Sequence, residues 1–495
     1  MLPPTETDLG RNGRPDILVL YVDQMRADAL GCLGNGAAET PNLDNLAQQG
    51  RLHRNHYAGN PLCMPSRACF FTGLSTERHG VRTNGMSLDT SIPTLPGLLA
   101  AAGYRTGVTG KLHLSAQLDD KSPEGEEAFR SGDRDDWVGP LYGFDYARIT
   151  TGHGEQTGGH YGRWRRTHYP DIPLGPDQAE ARDRHPDLLC WRSRLPEEAH
   201  PSTWVANEAI RFLNETPADR PFFLFASFPD PHNPFTPPAA WADRFAGLEI
   251  DPPEDLGTEL DNRPAIWRAM REGNAFQEDG NGTWCGDRPE ALAACIRHTH
   301  AMNALIDKQV GRILTELEKI GRRKDTLIVF SSDHGDFLGD SGFLRKGPIP
   351  SRSLLHVPLI ITDPSATPGV VDAASDNRAL MPHLLRRAGL SVPNGREDAD
   401  LPEPEDADPG EAYGSGWGKH NRAWNHLSLA TRDWHLVLYP NLKDGELYCL
   451  REDPEERHNR FHDAAVRRKR KELEDRLAYL SRHAVEKPFT LATPW

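Results

Sequence analysis

The chain has 495 residues, of which 37% are hydrophobic, and this length favours one large domain plus a smaller one over a single compact core. Its formal net charge of -15 at pH 7 argues against nucleic-acid and anionic-membrane partners, because binding to phosphate groups requires a basic face. Any anion site must therefore be built from a few local cations.

Cysteine usage and the N-terminal segment predict a cytoplasmic protein. The seven cysteines form no CxxC pair and no disulfide-framework spacing. Residues 1–15 are polar, and the first apolar run, residues 17–22, is too short for the core of a signal peptide. No stretch approaches the ~20 apolar residues of a membrane span. The oligomeric state is not readable from the sequence, and a homo-oligomer remains open.

Short apolar runs alternate with longer amphipathic stretches, which is typical of strands and crossover helices in a parallel sheet. The predicted strands are residues 16–22, 104–109, 221–227, 326–331 and 357–362. The predicted helices are residues 41–49, 66–72, 95–102, 202–214, 289–320 and 376–388. We therefore expect an α/β fold with a large mixed, mostly parallel sheet flanked by helices.

Two polar stretches interrupt this pattern. Residues 117–200 are poor in aliphatic side chains, so we expect an insertion over the sheet rather than a domain with its own core. Residues 394–409 are dense in Asp, Glu and Pro and predict a linker or exposed loop. Strands at 427–430, 434–439 and 446–450 and a helix at 463–482 then predict a smaller C-terminal α+β subdomain. The predicted division is a catalytic domain at 1–395 and a subdomain at 410–495.

Polar side chains that can take part in catalysis or metal binding follow several predicted strands. They are Asp23, Gln24, Lys111, His113, His232, Asp333 and His334. In open α/β sheets ligands bind at the carboxyl ends of the strands, so these segments can converge on one crevice. The carboxylate and imidazole of Asp333 and His334 can both face a cation. The alternative is an Asp that caps a helix beside an exposed His.

The most informative stretch is residues 63–73, CMPSRACFFTG. Here Cys63 is followed by Pro65 and Arg67 and runs into a Thr-Gly turn. Sulfatases have the Cys of such a pattern oxidised to formylglycine, whose aldehyde then provides the nucleophile. The alternative is a buried cysteine in a loop broken by proline, since free cysteine often behaves as a small core residue.

The chain resembles the sulfatase family, part of the alkaline-phosphatase-like superfamily, in several further segments. These are residues 23–26 (DQMR), 40–44 (TPNLD), 110–114 (GKLHL), 231–235 (PHNPF), 332–335 (SDHG) with 346–347 (KG), and 445–448 (GELY) with 452–454 (EDP). The resemblance covers about the whole chain apart from 117–200. It implies an alkaline-phosphatase-like fold and hydrolysis of sulfate esters.

The resemblance also implies a catalytic set, which is Cys63, Arg67, Lys111, His113, His232 and Lys346. Formylglycine at position 63 attacks sulfur as its hydrate, and Arg67 stabilises it. Lys111 and Lys346 hold positive charge at the sulfate oxygens. His232 protonates the leaving alcohol, and His113 is the base that restores the aldehyde.

One divalent cation is implied, held by Asp23, Gln24, Asp333 and His334. Many sulfatases carry two consecutive Asp residues where this chain has Asp23 and Gln24. Asp-Gln with Asp-His resembles choline sulfatases and phosphonate monoester hydrolases, and the latter often use Mn2+. We expect Ca2+, with Mn2+ as the alternative, because one imidazole makes the site less typical of Ca2+ than an all-oxygen site.

Substrate contacts are expected from Asn84 and Arg82, which lie beyond the Cys63 helix. The insertion offers further candidates, although packing is the more frequent role of such residues: Trp137, Tyr142, His153, His160, Trp164 and His168. A cytoplasmic enzyme should act on small sulfate esters, and maturation requires a formylglycine-generating enzyme as partner. The alternative is a phosphonate monoester or phosphodiester hydrolase that uses the same site. A non-catalytic binding protein is disfavoured by the intact catalytic set.

Overall fold

The computed structural model describes residues 13–134, 136–180, 182–251, 260–273, 282–396, 400–418 and 424–482. Most of the polar N-terminal segment, residues 1–12, lies outside the described residues, as do residues 397–399 of the predicted linker.

The strands and helices are numbered in chain order. The strands are β1 Asp16–Asp23, β2 Arg51–His53, β3 His56–Tyr57, β4 Arg105–Lys111, β5 Tyr146–Thr150, β6 Phe222–Pro231, β7 Thr283–Trp284, β8 Thr326–Ser332, β9 Phe343–Leu344, β10 Leu359–Thr362, β11 Gly369–Val371, β12 Ser375–Asp376, β13 Ala412–Gly416, β14 His426–Ala430, β15 Trp434–Tyr439 and β16 Asp444–Cys449. The α-helices are α1 Pro41–Gln49, α2 Cys63–Thr72, α3 Thr76–His79, α4 Leu95–Ala101, α5 Glu126–Ser131, α6 Gly159–His168, α7 Pro201–Glu215, α8 Ala239–Phe245, α9 Ala265–Arg271, α10 Pro289–Lys319, α11 Arg352–Leu355, α12 Leu380–Arg387 and α13 Arg467–Arg482.

The main sheet confirms the predicted α/β fold. Its strand order is β11-β2-β10-β8-β1-β6-β4-β5. Strand β1 lies between β6 and β8 and is parallel to both, and β4 and β5 continue the parallel pairing. Strand β10 runs antiparallel to β8 and β2, so the sheet is mixed. Because β1, β4, β6 and β8 run in the same direction, their carboxyl ends lie along one edge of the sheet.

Each face of the sheet carries its own core, as a strand buried on both faces requires. Residues 17, 19 and 21 of β1 pack with side chains of α2, α4 and α12. Residues 18, 20 and 22 pack on the opposite face with side chains of α1, α7 and α10. Strand β1 is buried along its whole length, so its last residue, Asp23, lies inside the molecule.

The predicted helix and strand positions hold, with ends shifted by a few residues. The helix expected at 66–72 begins at Cys63, and β6 continues to Pro231. The helix expected at 376–388 begins only at Leu380, because Asp376 caps a short 3-10 turn by accepting a hydrogen bond of 2.9 Å from the backbone N–H of Arg378.

The polar segment at 117–200 does more than cover the sheet. Its residues 146–150 form β5, which pairs with β4 as the edge strand of the main sheet. The expectation of an insertion over the sheet did not include this strand. The run is short and contains Tyr146, Arg148 and Thr150, so its apolar residues are too few to stand out as a strand.

The C-terminal part contains a separate antiparallel sheet in the order β13-β14-β15-β16. Helix α13 packs on it through Leu473 and Leu477. This agrees with the predicted smaller α+β subdomain, although the sequence did not predict β13. Among the helices that the structure describes, none combines the length and the apolar content needed to cross a membrane.

Candidate active site

The polar residues predicted at the strand ends meet at the carboxyl edge of the main sheet. Asp23 ends β1, Lys111 ends β4, and His232 directly follows β6. Asp333 and His334 directly follow β8, and Cys63 is the first residue of α2. Parallel pairing of β1 with β6 and β8 brings segments more than 200 residues apart in the chain into one buried cluster.

The thiol of Cys63 lies at the centre of this cluster. Its Sγ is 3.0 Å from Lys346 Nζ, 3.2 Å from His334 Nε2 and 3.9 Å from an Asp23 carboxylate oxygen. Burial raises the pKa of the thiol, but neighbouring cations, chiefly Lys111 and Lys346, outweigh it and lower the pKa to about 7. The first turn of a helix also favours negative charge. The site therefore stabilises an anionic group at position 63.

Two fully buried carboxylates are held by two fully buried cations. Arg67 donates from Nε to Asp333 at 2.8 Å, and its Nη2 lies 3.8 Å from Asp23. The ammonium of Lys111 contacts the same Asp23 carboxylate. With Lys346, the cations outnumber these carboxylates, so this crevice is locally positive although the whole chain is acidic. Such a crevice suits an anionic substrate group.

The donor set fits a divalent cation. One ligand atom from each of Asp23, Cys63, Asp333 and His334 lies within 4.8 Å of the others. His334 donates from Nδ1 to the carbonyl of Gly335 at 2.8 Å, which leaves Nε2 facing the carboxylates. Burial lowers the pKa of His334, but the Asp333 carboxylate and the Cys63 thiol together raise it more, so the net shift is upward. The carboxylates thus attract positive charge to this position.

The side chain of Gln24 borders this donor set but has other partners. Its Nε2 donates to Asp336 at 2.6 Å and to Asn233 at 3.2 Å, and its Oε1 lies 3.4 Å from Lys346 Nζ. The backbone N–H of Gln24 donates to Asp333 at 3.0 Å. Gln24 therefore orients a metal-site carboxylate, and its amide oxygen can join the donor set only if it leaves Lys346.

Two histidines have surroundings suited to proton transfer. His232 donates from Nδ1 to the carbonyl of Asn233 at 2.6 Å, and its Nε2 lies 2.6 Å from Lys346 Nζ. Burial, then His153 and Lys346, lower the pKa of His232 well below its usual value. The pKa of His113 is lowered in the same way by burial and by the nearby Lys111 and Arg67. Both imidazoles are therefore favoured in the neutral form.

A buried carboxylate that the sequence did not single out holds the His113 segment. Glu124 accepts hydrogen bonds from the backbone N–H groups of His113 at 2.6 Å, Leu114 at 2.8 Å and Ser115 at 2.9 Å. His113 has a φ of 56°, which is a left-handed conformation that costs energy for a non-glycine residue. The three bonds from Glu124 compensate for this conformation.

The family model described as Sulfatase matches residues 15–390. The chain belongs to the sulfatase family. It is 29% identical to an arylsulfatase of Clostridium perfringens over 94% of this chain and 93% of that protein. It is 28% identical to a choline-sulfatase of Rhizobium meliloti over 78% of this chain and 70% of that protein. The crystal structure of the phosphonate monoester hydrolase of Agrobacterium radiobacter has a TM-score of 0.74 and 27% identity, covering 95% of this chain and 96% of that one. This sulfatase is thus a sulfuric-ester hydrolase with an alkaline-phosphatase-like fold.

Of the two predicted substrate residues of the sulfatase, Asn84 lies next to the Cys63 helix and Arg82 contacts the C-terminal part of the chain. Asn84 accepts a hydrogen bond of 3.0 Å from the backbone N–H of Met64, the residue after Cys63. The guanidinium of Arg82 lies 4.6 Å from the ring centroid of Trp417. Trp417, near the end of β13, therefore meets the segment that carries Arg82 and Asn84, a contact that the sequence did not predict.

Of the candidates in the insertion, the structure brings His153 into the cluster. Its Nε2 lies 2.5 Å from Lys111 Nζ, and its ring stacks on that of His232. His160 instead bonds to Ile149 and Trp137 within the insertion, and His168 is exposed on α6. The sequence does not distinguish these histidines, because their positions depend on the path that the chain takes after β5.

Proposed function

We propose that this sulfatase hydrolyses small sulfate esters with a formylglycine formed from Cys63 and with one bound divalent cation. The observation that carries the proposal is the position of Cys63 Sγ, in contact with both Lys346 and His334 and close to Asp23. A buried cysteine that serves only in core packing does not require charged neighbours such as these.

When Cys63 is converted to formylglycine, the hydrated aldehyde would supply one hydroxyl as nucleophile. Deprotonation of the second hydroxyl would then break the C–O bond to the sulfate group, release inorganic sulfate and restore the aldehyde. Arg67 stabilises the formylglycine, and Lys111 and Lys346 bind the anionic group of the substrate and face the negative charge that its oxygens hold during the reaction. Because these cations are buried, no solvent reorganisation is needed to bring them into place.

His232 is the proposed general acid. Its Nδ1 proton is committed to Asn233, so the nitrogen that faces the reaction is Nε2, which lies 2.6 Å from the Lys346 ammonium. Lys346 therefore both binds the anion and can pass a proton to His232 for the leaving alcohol. His113 is the proposed base, because burial and adjacent cations keep its imidazole neutral and able to accept a proton.

Asp23, Asp333 and His334 are the proposed ligands of the cation, with Gln24 as a fourth. A bound divalent ion supplies positive charge to the sulfate oxygens and favours the ionised nucleophile. The mixed oxygen and nitrogen donor set is compatible with Ca2+, our expectation, and with Mn2+.

The second candidate function is hydrolysis of phosphonate monoesters or phosphodiesters at the same site. The Asp23-Gln24 pair and the likeness to a phosphonate monoester hydrolase over nearly the whole chain support it. The two reactions place similar charge on the transferred group, so we expect some activity of each kind.

The deciding experiment compares kcat/KM for 4-nitrophenyl sulfate and for a 4-nitrophenyl phosphonate monoester. The enzyme is produced with a formylglycine-generating enzyme and assayed in Ca2+ and in Mn2+. We expect the higher kcat/KM for the sulfate ester. A higher value for the phosphonate in both metals would instead assign the second function.

Further proposals concern the protein as a whole. We propose residues 1–395 as the catalytic domain and residues 410–495 as a C-terminal subdomain, with a contact between Arg82 and Trp417 joining the two. A cytoplasmic location and maturation by a formylglycine-generating enzyme stay predictions from the sequence, and a homo-oligomer remains open.

A further inference from the structure

The imidazole of His153 touches three groups of the proposed catalytic machinery. Its ring lies flat on that of His232, with ring centroids 3.5 Å apart and 10° between the planes. Its Nε2 is 2.5 Å from Lys111 Nζ and 3.5 Å from an Asp23 carboxylate oxygen. His153 therefore belongs to the cluster by geometry, although it comes from the insertion.

The loop that carries His153 is firmly held. The buried Glu155 carboxylate accepts hydrogen bonds from Trp191 Nε1 at 2.8 Å, Ser193 Oγ at 2.5 Å and the backbone N–H of Gly175 at 2.7 Å. Gly154 has a φ of 56°, and a Cβ there would lie 2.7 Å from the ring of Pro234. Because the loop packs this closely on the segment after His232, the position of His153 is a fixed feature of the site.

The hydrogen-bond partners of His153 determine which of its ring nitrogens can donate to a ligand. A lysine ammonium has donors and no acceptor, so Nε2 of His153 accepts from Lys111, and a neutral ring then carries its proton on Nδ1. The His153 side chain is 17% exposed, whereas those of Asp23 and Lys111 are 0% exposed. With Nε2 occupied by Lys111 and one face of the ring on His232, Nδ1 is the ring nitrogen that remains for a ligand.

We propose that His153 is a further substrate-binding residue of this active site, whose Nδ1–H donates a hydrogen bond to an oxygen of the anionic group of the substrate. The inference rests on the proposed function, because the substrate concerned is the sulfate ester. It assigns to the insertion a direct contact with the group that is transferred.

Three substitutions separate a substrate contact from simple support of Lys111. In His153→Asn the amide ends near the place of Nδ1 and keeps a donor there, whereas in His153→Gln it ends near the place of Nε2 and keeps the acceptor for Lys111. His153→Ala removes both. The matched control is His168→Ala, a histidine of the same insertion that is exposed on α6.

The assay is steady-state kinetics with 4-nitrophenyl sulfate. A hydrogen bond to a charged group corresponds to about tenfold to hundredfold in affinity, so His153→Ala and His153→Gln should lower kcat/KM by that factor, mainly through KM. His153→Asn should stay within about threefold of the wild type, as should His168→Ala. Thermal unfolding of each variant confirms that the fold is retained.

Rescue by Gln and not by Asn would overturn the proposal, because His153 would then act only on Lys111. Kinetics of all three variants equal to those of His168→Ala would overturn it as well. Calorimetric titration with inorganic sulfate gives an independent readout if the wild type hydrolyses no sulfate ester. In that case weaker sulfate binding by His153→Gln than by His153→Asn supports the proposal while the proposed function fails, and equal binding by these two variants overturns it.

Discussion

Removal of the His232 imidazole should harm the reaction in a way that depends on the leaving group. In the structure Nε2 of His232 lies 2.6 Å from the Lys346 ammonium, and Nδ1 is fixed by its bond to the Asn233 carbonyl. His232→Ala removes the group that delivers a proton to the departing oxygen and leaves the anion-binding cations in place.

The magnitude follows from what a positioned acid contributes, which is typically a factor of about 10² to 10⁴. An alkyl sulfate has a poorly acidic alcohol, so kcat for it should fall by about that factor in His232→Ala. A nitrophenol leaves readily without a proton, so kcat for 4-nitrophenyl sulfate should fall by about tenfold or less.

The assay compares kcat of His232→Ala and His113→Ala on one alkyl sulfate and on 4-nitrophenyl sulfate. His113 is assigned to a step after the alcohol has left. That step is the same for both esters, so His113→Ala should lower kcat to the same value on both. Equal losses on the two esters for His232→Ala would refute its role as acid and would make Lys346 the next candidate.

Two further predictions concern the metal site and the stability of the sheet. Asp333→Asn should lose the bound divalent ion, because a buried carboxylate ligand is replaced by a neutral amide; a stoichiometric ion in elemental analysis of this variant would contradict the assignment. Arg322→Met should lower the free energy of unfolding by about 3 to 5 kcal/mol, because Arg322 forms a buried two-point ion pair with Asp16, at 2.6 and 2.8 Å, at the amino end of β1. Urea unfolding should show the loss, with the exposed Lys324→Met as control, and equal stability of the two variants would refute this reasoning.

The sequence predicted the central strands and the site residues at their ends for a clear physical reason. Strands buried on both faces are continuous apolar runs, and polar residues that directly follow such runs are conspicuous. Asp23, His232 and Asp333 all follow this pattern, and the structure places each of them at the carboxyl edge of the sheet. For these residues the local sequence pattern was enough to predict where they lie in the fold.

Features that depend on long-range packing could not be predicted in this way. Strand β5 is stabilised by pairing with the edge of β4, whereas its own sequence mixes Tyr, Arg and Thr with few apolar residues. Likewise Glu124 and Glu155 look like ordinary acidic loop residues, and their importance lies in backbone and side-chain donors from other segments. The selection of His153 among the insertion histidines has the same origin.

The central claim is that Cys63 is the precursor of the nucleophile, and peptide mass spectrometry of the active enzyme tests it most directly. Enzyme produced with a formylglycine-generating enzyme should show the aldehyde mass at residue 63, whereas Cys69, further along α2, should remain an unmodified thiol. Cys63→Ala should lose nearly all turnover, and Cys69→Ala, the matched control in the same helix, should retain it. An unmodified thiol at residue 63 in fully active enzyme, or full activity of Cys63→Ala, would contradict the account.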